Sequence, residues 1–373
     1  MEEVMQDETT IDTNGVMEDE INHIKRLNDT DGISTGITML NLALSNNRKV
    51  GIKKGTLVSF ASESGLGKTA TALNVCANVV KDPELNKQYS IYYLDKEGSA
   101  TNFNFQEQFG ISENSIHVIT AAMHNSQDLE SLERTYLYLI GLMNKGKSII
   151  AVVDSINAYI AECSRAVLTT NLNVVAGSED KLGTIKEDRL GQIAAANSKY
   201  LPMLKEKAAA TGSVIMLISQ LRVNVGGGLY EPKTIISGGK GIIFNVDTAI
   251  KITKGEQIYK KSASGVELDA GFMINYKPTK NRINGVTEPV TVPFLRSSGL
   301  KDVKATIDYL VSTKQITDNR KRYTAEWLTG TDKSMTDREL RIFLRDNKDA
   351  REKMEAKAEE VWVADLNSIY EDF

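Results

Sequence analysis

The sequence has little cysteine, histidine or proline, and each shortage excludes a class of protein or site. Two cysteines among 373 residues, Cys76 and Cys163, cannot form a disulfide framework or a four-cysteine zinc site. The three histidines are scattered and show no metal-ligand spacing. Only six prolines are present, which excludes collagen and mucin-like stalks. We therefore expect a reduced, intracellular protein without a structural metal.

Long hydrophobic runs are missing too. No apolar run approaches the roughly 18 residues that a membrane helix needs. Residues 1–20 carry neither a cationic region nor an apolar segment, so we expect no signal peptide. With 41% apolar and 25% charged residues, the composition is that of a soluble globular protein, and the length favours about two domains. A cytoplasmic protein with no membrane partner is expected.

Charge of both signs is present, but it is unevenly placed along the chain. Residues 1–31 have a net charge of −8 and residues 346–373 one of −5, which leaves +9 for residues 32–345 of a chain whose net charge is −4. A basic body between acidic ends favours a polyanionic partner for which the ends compete. Ordinary solvated surface charge beside a disordered leader is the alternative.

Between the acidic ends, short apolar runs alternate with helical stretches. The runs are 56–61, 90–94, 148–153, 213–218 and 248–252. This alternation predicts an α/β fold with a mostly parallel central sheet. Two later runs, 271–276 and 290–295, predict an antiparallel addition. We divide the chain into an acidic leader with a short helix for polymerisation or flexibility (1–32), an α/β core (33–300) and a small α+β domain with an acidic tail (301–373).

A glycine-containing loop follows the first of these runs and opens a helix. It reads Ser62-Glu-Ser-Gly-Leu-Gly-Lys-Thr69, which is the P-loop pattern in its expected strand–loop–helix context. Gly65 and Gly67 let backbone N–H groups approach phosphate oxygens. Lys68 supplies positive charge to the β- and γ-phosphates, and the Thr69 hydroxyl ligates Mg²⁺. The sequence departs from the usual pattern at Ser62, where a glycine is expected. A plain glycine turn at a helix start is the alternative.

Two acidic groups follow neighbouring apolar runs at positions that suit phosphate chemistry. The run 148–153 leads into Asp154-Ser155, which resembles a Walker B acid that holds Mg²⁺ through water. The run 90–94 leads into Asp95-Lys-Glu97, and Glu97 is placed to polarise an attacking water. Either acid alone would also suit a solvated strand end, but their succession after a P-loop favours a nucleotide site.

The adenine of a bound nucleotide needs a stacking partner beyond the P-loop. Phe105 is our candidate, with Asn102 beside it, although Phe103, Phe105 and Phe109 would also suit a helix core. The predicted nucleotide-binding residues are Ser62, Glu63, Ser64, Gly65, Leu66, Gly67, Lys68, Thr69, Ala70, Asn102, Phe105 and Asp154, with Thr69 and Asp154 as the Mg²⁺ ligands.

Together these residues resemble the RecA family of DNA recombinases, which includes bacterial RecA and the UvsX-type strand-exchange proteins of phages. The resemblance covers roughly residues 33–363. It includes Ile33-Ser-Thr-Gly36 near the start, Glu97 at the position of the family's catalytic glutamate, Asp154-Ser155 at the end of its Walker B strand and Phe343-Leu-Arg-Asp-Asn347 near the end. It implies a RecA-like P-loop ATPase core followed by a small C-terminal domain.

The resemblance also implies roles for three further residues. Gln220 matches the family's polar sensor, which links the γ-phosphate to the second DNA-binding loop. Lys280 and Arg282 resemble a basic pair that the family contributes to the ATP of the neighbouring subunit; surface charges on a loop are the alternative. The implied catalytic residues are Glu97, Gln220, Lys280 and Arg282, and the implied cofactors are ATP and Mg²⁺.

Two DNA-binding loops are expected from the resemblance, at about 176–190 and 222–240. Glycine-rich loops with a few basic residues hold DNA phosphates without reading sequence, and an apolar side chain can wedge between bases. The chain departs from the family by extra residues around 163–188, and by Ala195 and Pro202, which stand where arginines are usual. A mobile hairpin tip is the alternative for the second loop's glycine run. The candidate DNA-binding residues are Lys186, Arg189, Arg222, Gly226, Gly227, Gly228, Leu229, Tyr230, Gly238, Gly239 and Lys240.

These features predict an ATP-dependent recombination protein that forms helical filaments on single-stranded DNA, pairs it with homologous duplex DNA and exchanges strands. DNA-stimulated hydrolysis of ATP to ADP and phosphate is expected. The expected protein partners are further copies of the chain, together with single-strand-binding and loader proteins. The expected location is a bacterial or phage-infected cell. Two alternatives are a hexameric helicase-type DNA motor and a nucleotide-gated DNA-binding scaffold with negligible turnover.

Overall fold

A large sheet forms the centre of the part of the chain that the computed structural model describes, residues 31–165, 191–223 and 234–371. A small ribbon of β1 (Gly32–Ile33) and β2 (Ile52–Lys53) precedes it. The strands of the large sheet are β3 (Leu57–Ser62), β4 (Tyr89–Asp95), β5 (His117–Thr120), β6 (Ser148–Asp154), β7 (Val214–Val223), β8 (Thr234–Ile236), β9 (Thr248–Lys261), β10 (Glu267–Asn281), β11 (Val290–Leu295) and β12 (Gly299–Leu300).

The order of the strands is β12-β11-β10-β9-β3-β7-β6-β4-β5, with β8 paired to β7. All neighbours from β9 to β5 are parallel, which confirms the predicted α/β fold. The strands from β9 to β12 are antiparallel to one another, and the predicted runs pair from Gly271↔Leu295 to Tyr276↔Val290. The antiparallel addition is therefore also confirmed.

Helices cover both faces of this sheet, and its central strands are therefore buried on both sides. They are α1 (Thr38–Ser45), α2 (Lys68–Lys81), α3 (Pro83–Gln88), α4 (Ala121–Ser126), α5 (Leu132–Asn144), α6 (Gln192–Thr211) and α7 (Lys240–Asn245). Alternate residues of β6 divide between two apolar cores: Ile150 and Val152 pack on the α2 side, and Ile149 and Val153 pack on the α5 and α6 side. The carboxyl edge between these cores carries the P-loop.

The last part of the described chain adds helices and a small sheet. These elements are α8 (Asp302–Ser312), β13 (Thr317–Asn319), β14 (Arg322–Thr324), α9 (Glu326–Thr329), β15 (Met335–Thr336), α10 (Asp337–Asp346) and α11 (Lys348–Glu371). The α11 helix contacts the core, since the Trp362 indole N–H donates to Oδ1 of Asn46 across 3.2 Å. The domain boundaries stay a prediction. None of the helices in the described ranges is long and apolar enough to cross a membrane.

Candidate functional site

The P-loop lies between β3 and α2, at the carboxyl edge of the parallel strands. Gly65 and Gly67 have φ angles of +75° and +88°, a conformation that L side chains rarely adopt. A Cβ atom on Gly67 would also lie 2.8 Å from Cδ1 of Ile274. The α2 helix begins directly after Gly67, so its first N–H groups face the space where phosphate oxygens would bind.

Ser62, the departure from the usual pattern, is the fully buried last residue of β3. Its hydroxyl donates to the carbonyl oxygen of Glu63 across 2.7 Å and accepts from the Lys68 ammonium across 3.0 Å. The ammonium also donates to the carbonyl oxygens of Ser62 and Glu63, at 3.2 and 2.7 Å. Because Ser62 continues an extended strand, this position needs no glycine, and its hydroxyl helps to orient Lys68.

Burial lowers the pKa of Lys68, while the nearby carboxylates of Asp154 and Glu97 act in the opposite direction. Lys68 is only 8% exposed as a residue, so little water screens its charge. Within the described chain, the hydrogen bonds of this ammonium go to those loop oxygens, and a bound phosphate would replace them with stronger, charge-assisted bonds.

Asp154 ends β6 and gathers three hydroxyl donors on one oxygen. Its Oδ2 accepts from Thr69 Oγ1 across 2.8 Å, from the Tyr93 hydroxyl across 2.6 Å and from Ser99 Oγ across 2.9 Å. Burial raises the pKa of Asp154, and these donated hydrogen bonds oppose that rise. The carboxylate and hydroxyl oxygens of Asp154, Thr69 and Ser99 are the hard donors that Mg²⁺ prefers, so the residues fit the implied metal.

Glu97 and Gln220 meet although their strands are not neighbours. The side-chain amide of Gln220 donates to Oε1 of Glu97 across 3.0 Å, and the Ser155 hydroxyl contacts the same oxygen. The backbone N–H of Gln220 donates to Oδ1 of Asn157 across 2.9 Å. The two predicted catalytic residues are therefore in direct contact across the end of β6, which lies between the strand before Glu97 and the strand that carries Gln220 into the second predicted loop.

A cleft of about 490 Å³ extends from the P-loop toward the antiparallel strands. Phe103 lines it, as does Asn102, whose amide donates to the carbonyl oxygen of Gly98 across 3.3 Å. The structure does not place Phe105 there. Phe105 is only 4% exposed, and its ring packs edge-on against that of Phe109 with 6.1 Å between centroids, which is the core alternative. The Phe105 side chain is therefore buried in the core, and Phe103, which lines the cleft, is better placed to contact a base.

The far wall of the cleft comes from β10 and the β11 end. Phe272, Phe294 and Arg296 line it, and the Arg296 guanidinium lies 5.8 Å from the centre of the Phe272 ring. Arg296 also forms an ion pair of 2.6 Å with Asp269. This wall therefore offers two aromatic surfaces and one cation next to the phosphate loop.

A model of the RecA N-terminal domain matches residues 13–301, more than three quarters of the chain. The chain belongs to the RecA family. It is 24% identical to Protein RecA of Mesoplasma florum over 266 residues, which cover 71% of this chain and 66% of the relative. It is also 24% identical to Protein RecA of Bifidobacterium breve over 342 residues, which cover 91% of this chain and 76% of the relative. The UvsX-type resemblance stays a prediction.

The two cations of the implied trans pair lie far from the P-loop of their own chain. The Lys280 ammonium donates to the carbonyl oxygens of Ile243 and Phe244, at 2.7 and 3.1 Å. The backbone N–H of Arg282 donates to Asp247, whose own N–H donates to Leu57 at the amino end of β3. Leu57 and Ser62, the two ends of β3, are five residue rises apart, or about 17 Å at 3.3 Å per residue, and Ser62 opens the P-loop.

The candidate DNA-binding residues fall into two groups. Arg222 is exposed on β7, and Lys240 is exposed at the start of α7. Gly238 and Gly239 lie between them along the chain, where Ser237 separates them from the end of β8. Several other candidates lie outside the described residues, as do the whole of the first predicted loop (176–190) and most of the extra residues (163–188) and of the leader (1–32). These candidates are Lys186, Arg189, Gly226, Gly227, Gly228, Leu229 and Tyr230.

Sequence reasoning missed several residues of this site. Asp95 is buried and accepts the backbone N–H groups of Ser99 and Ala100, at 2.9 and 3.0 Å, which fixes the loop that carries Glu97. The Asp-Lys-Glu-Gly-Ser spacing is a usable signal for this arrangement, because aspartate often caps a following turn. Nothing in the sequence signals the third hydroxyl, that of Tyr93, or the aromatic wall.

Proposed function

We propose that this chain is an ATP-dependent DNA recombinase that forms helical filaments on single-stranded DNA, pairs it with homologous duplex DNA and exchanges strands. The observation that carries the proposal is the 3.0 Å hydrogen bond between Gln220 and Glu97. It joins the carboxylate that would activate water to the strand that enters the second predicted DNA-binding loop.

In the proposed reaction, Lys68 and the first N–H groups of α2 bind the β- and γ-phosphates. Thr69 and Asp154 would hold Mg²⁺, which neutralises charge on the phosphates when bound. Glu97 orients a water and accepts its proton at Oε1 or Oε2 as the water oxygen bonds to the γ-phosphorus. The bond from that phosphorus to the β–γ bridging oxygen breaks, and ADP leaves with the bonding electron pair. Phe103 and the wall around Phe272 exclude water from the base.

Lys280 and Arg282 act, in this proposal, on the ATP of a neighbouring copy. Arg282 lies beside the amino end of β3, about 17 Å from the P-loop along the strand, and the carbonyl oxygens of Ile243 and Phe244 hold the Lys280 ammonium. These positions support action across an interface rather than within one chain. Burial and the nearby charge of Arg282 lower the pKa of Lys280. Hydrolysis would then depend on DNA, since DNA aligns the copies that exchange these cations.

The partners that follow are single-stranded DNA, homologous duplex DNA and further copies of this chain, with single-strand-binding and loader proteins as additional ones. The family and its bacterial relatives support a place on DNA in the cytoplasm of a bacterial or phage-infected cell.

Negative-stain microscopy with single-stranded DNA, Mg²⁺ and a slowly hydrolysed ATP analogue tests the proposal. We expect helical filaments, and in parallel joint molecules between a circular single strand and homologous linear duplex. Closed rings without joint molecules would favour the hexameric motor. Filaments that never release phosphate from ATP would favour the scaffold. A heterologous duplex serves as the control for pairing.

A further inference from the structure

A fully buried asparagine connects three elements near the second predicted DNA-binding loop. Asn197 lies in the second turn of α6 and is 0% exposed. Its Oδ1 accepts from the hydroxyl of Tyr136 on α5 across 2.7 Å, and its Nδ2 donates to the carbonyl oxygen of Gly238 across 2.7 Å. A buried amide with both ends paired is costly to disturb, because each lost bond leaves a buried polar group without a partner.

Gly238, whose carbonyl oxygen Asn197 binds, follows Ser237, and Ser237 is hydrogen-bonded to Gln220 of the candidate ATP site. The backbone N–H of Ser237 donates to the carbonyl oxygen of Gln220 across 2.9 Å. Gln220 in turn donates its side-chain amide to Glu97. A path of three hydrogen bonds, the backbone of Ser237 and Gly238 and the side chain of Gln220 therefore joins α6 to the carboxylate proposed to activate water.

The same segment packs directly on α6, at Ala194 and Asn197. Gly239 has a φ of +87°, and a Cβ atom there would lie 2.4 Å from Cβ of Ala194. A Cβ atom on Gly238 would lie 3.1 Å from Nδ2 of Asn197. These two glycines permit a close approach between the loop's exit and the helix, and the single amide of Asn197 sets its register.

We propose that Asn197 is a positioning residue that couples the exit of the second predicted DNA-binding loop to the Gln220–Glu97 pair. The inference rests on the proposed function for its physiological meaning. Asn197 thereby connects the exit of the second predicted loop to α6, the helix that follows the first predicted loop (about 176–190) in the chain. A shift of Gly238 relative to α6 is transmitted to Gln220 through Ser237.

Asn197→Asp is the main test, because the carboxylate still accepts from Tyr136 but cannot donate to Gly238. Asn245→Asp is the matched control, since the Asn245 amide donates to the carbonyl oxygen of Gly241 within its own helix, across 2.8 Å. The first readout is hydrogen exchange of the segment 234–245 without DNA, with and without an ATP analogue. We expect the nucleotide to protect this segment in the natural protein and the control, and to lose that effect in Asn197→Asp.

The second readout is the ratio of DNA-stimulated to DNA-free ATP turnover. We expect Asn197→Asp to lower this ratio by about three- to thirtyfold, the range for residues that carry coupling, while DNA-free turnover and the KM for ATP stay within about twofold. A purely structural residue would lower both turnover rates together, and that outcome would overturn the proposal. Unchanged exchange protection in Asn197→Asp would overturn it as well.

Two further results, a variant that does not fold and a natural protein that DNA does not stimulate, are handled separately. If Asn197→Asp does not fold, Tyr136→Phe keeps the ring and frees Oδ1 of Asn197; unchanged nucleotide protection of 234–245 in that variant counts against the proposal. If the natural protein shows no DNA stimulation, the proposed function fails. The exchange readout then still decides the coupling between Asn197 and the ATP site by itself.

Discussion

The amide of Gln220 and the carboxylate of Glu97 are joined across 3.0 Å, over the end of the strand that lies between theirs. Ser155, which follows that middle strand, contacts the same Oε1 atom. Two donors thus share one oxygen of the proposed base. A water that is to be activated must use the other oxygen or displace a donor, and a γ-phosphate that attracts the Gln220 amide would release one.

Glu97→Gln separates nucleotide binding from chemistry. The amide keeps the size of the side chain and can still contact Gln220 and Ser155, but it cannot take a proton from water. We expect filaments that assemble with ATP and a turnover that falls by about two to four decades, the usual contribution of a general base. Phosphate release on single-stranded DNA measures it. Glu113→Gln, at an exposed glutamate, should behave like the natural protein, and a Glu97→Gln turnover close to normal would remove Glu97 from this role.

Lys68→Ala removes the cation that faces the phosphates. One charge-assisted hydrogen bond contributes about 1.5–3 kcal/mol, so we expect ATP affinity to fall by about ten- to hundredfold, with little turnover left. The fold should persist, because the bonds that Lys68 makes are to its own loop. Titration with a fluorescent ATP analogue measures the affinity. Lys87→Ala is the control, since that lysine is 74% exposed in a surface ion pair. Normal ATP binding by Lys68→Ala would contradict the P-loop assignment.

Trans action of Lys280 and Arg282 is tested by mixing two inactive proteins. One carries Lys68→Ala, and the other carries Lys280→Ala with Arg282→Ala. Mixed filaments contain interfaces at which an intact P-loop faces intact cations, so DNA-stimulated phosphate release should partly return. Labelled subunits show whether the filaments are mixed. Mixed filaments without recovery would argue against trans action, and full activity of the double variant alone would exclude both residues from the site.

The sequence predicted the elements that have a local signature and missed those that depend on distant packing. The P-loop, the acid after each strand and the antiparallel runs each carry a periodic or spaced pattern. The choice between Phe103 and Phe105 depends on how one short turn rotates against the core, which no spacing records. Phe272 and Phe294 are 22 positions apart in sequence and become neighbours only through strand register.

The distance of Lys280 and Arg282 from the P-loop is another feature that the sequence alone could not predict. Their separation from the P-loop follows from the direction of β9 and β10 in the sheet, which only the register of pairing fixes. Gln220 was placed by family resemblance alone, because a glutamine at a strand end has no chemical signature of its own. Its contact with Glu97 required the strand order β7-β6-β4.

The carboxyl of Asp302 gives a pH-dependent test of how the C-terminal elements attach to the core. Asp302 accepts the backbone N–H of Thr38 across 2.6 Å, at the start of α1, and the Arg351 guanidinium of α11 across 3.2 Å. Burial raises the pKa of Asp302 to about 6 from an ordinary value of 3.8, although Thr38 and Arg351 oppose the rise and Glu355 adds to it. Between these two pH values the folded chain holds a proton that the unfolded chain has lost, so stability falls as pH rises through this window.

Asp302→Asn cannot titrate, and its free energy of unfolding relative to that of the natural protein should therefore rise between about pH 4 and pH 6 and then level off. This difference in the free energy of unfolding should change by about 1–3 kcal/mol across the window. We expect the lower part of that range, because the Asp302 side chain is 15% exposed and water screens part of its charge. Urea unfolding at a series of pH values measures the difference. Glu339→Gln is the control of opposite sign: hydrogen bonds from Thr336 lower the pKa of Glu339, so that variant should lose stability relative to the natural protein as pH rises. A flat difference for Asp302→Asn would mean that this carboxyl is fully solvated and does not connect α8, α1 and α11.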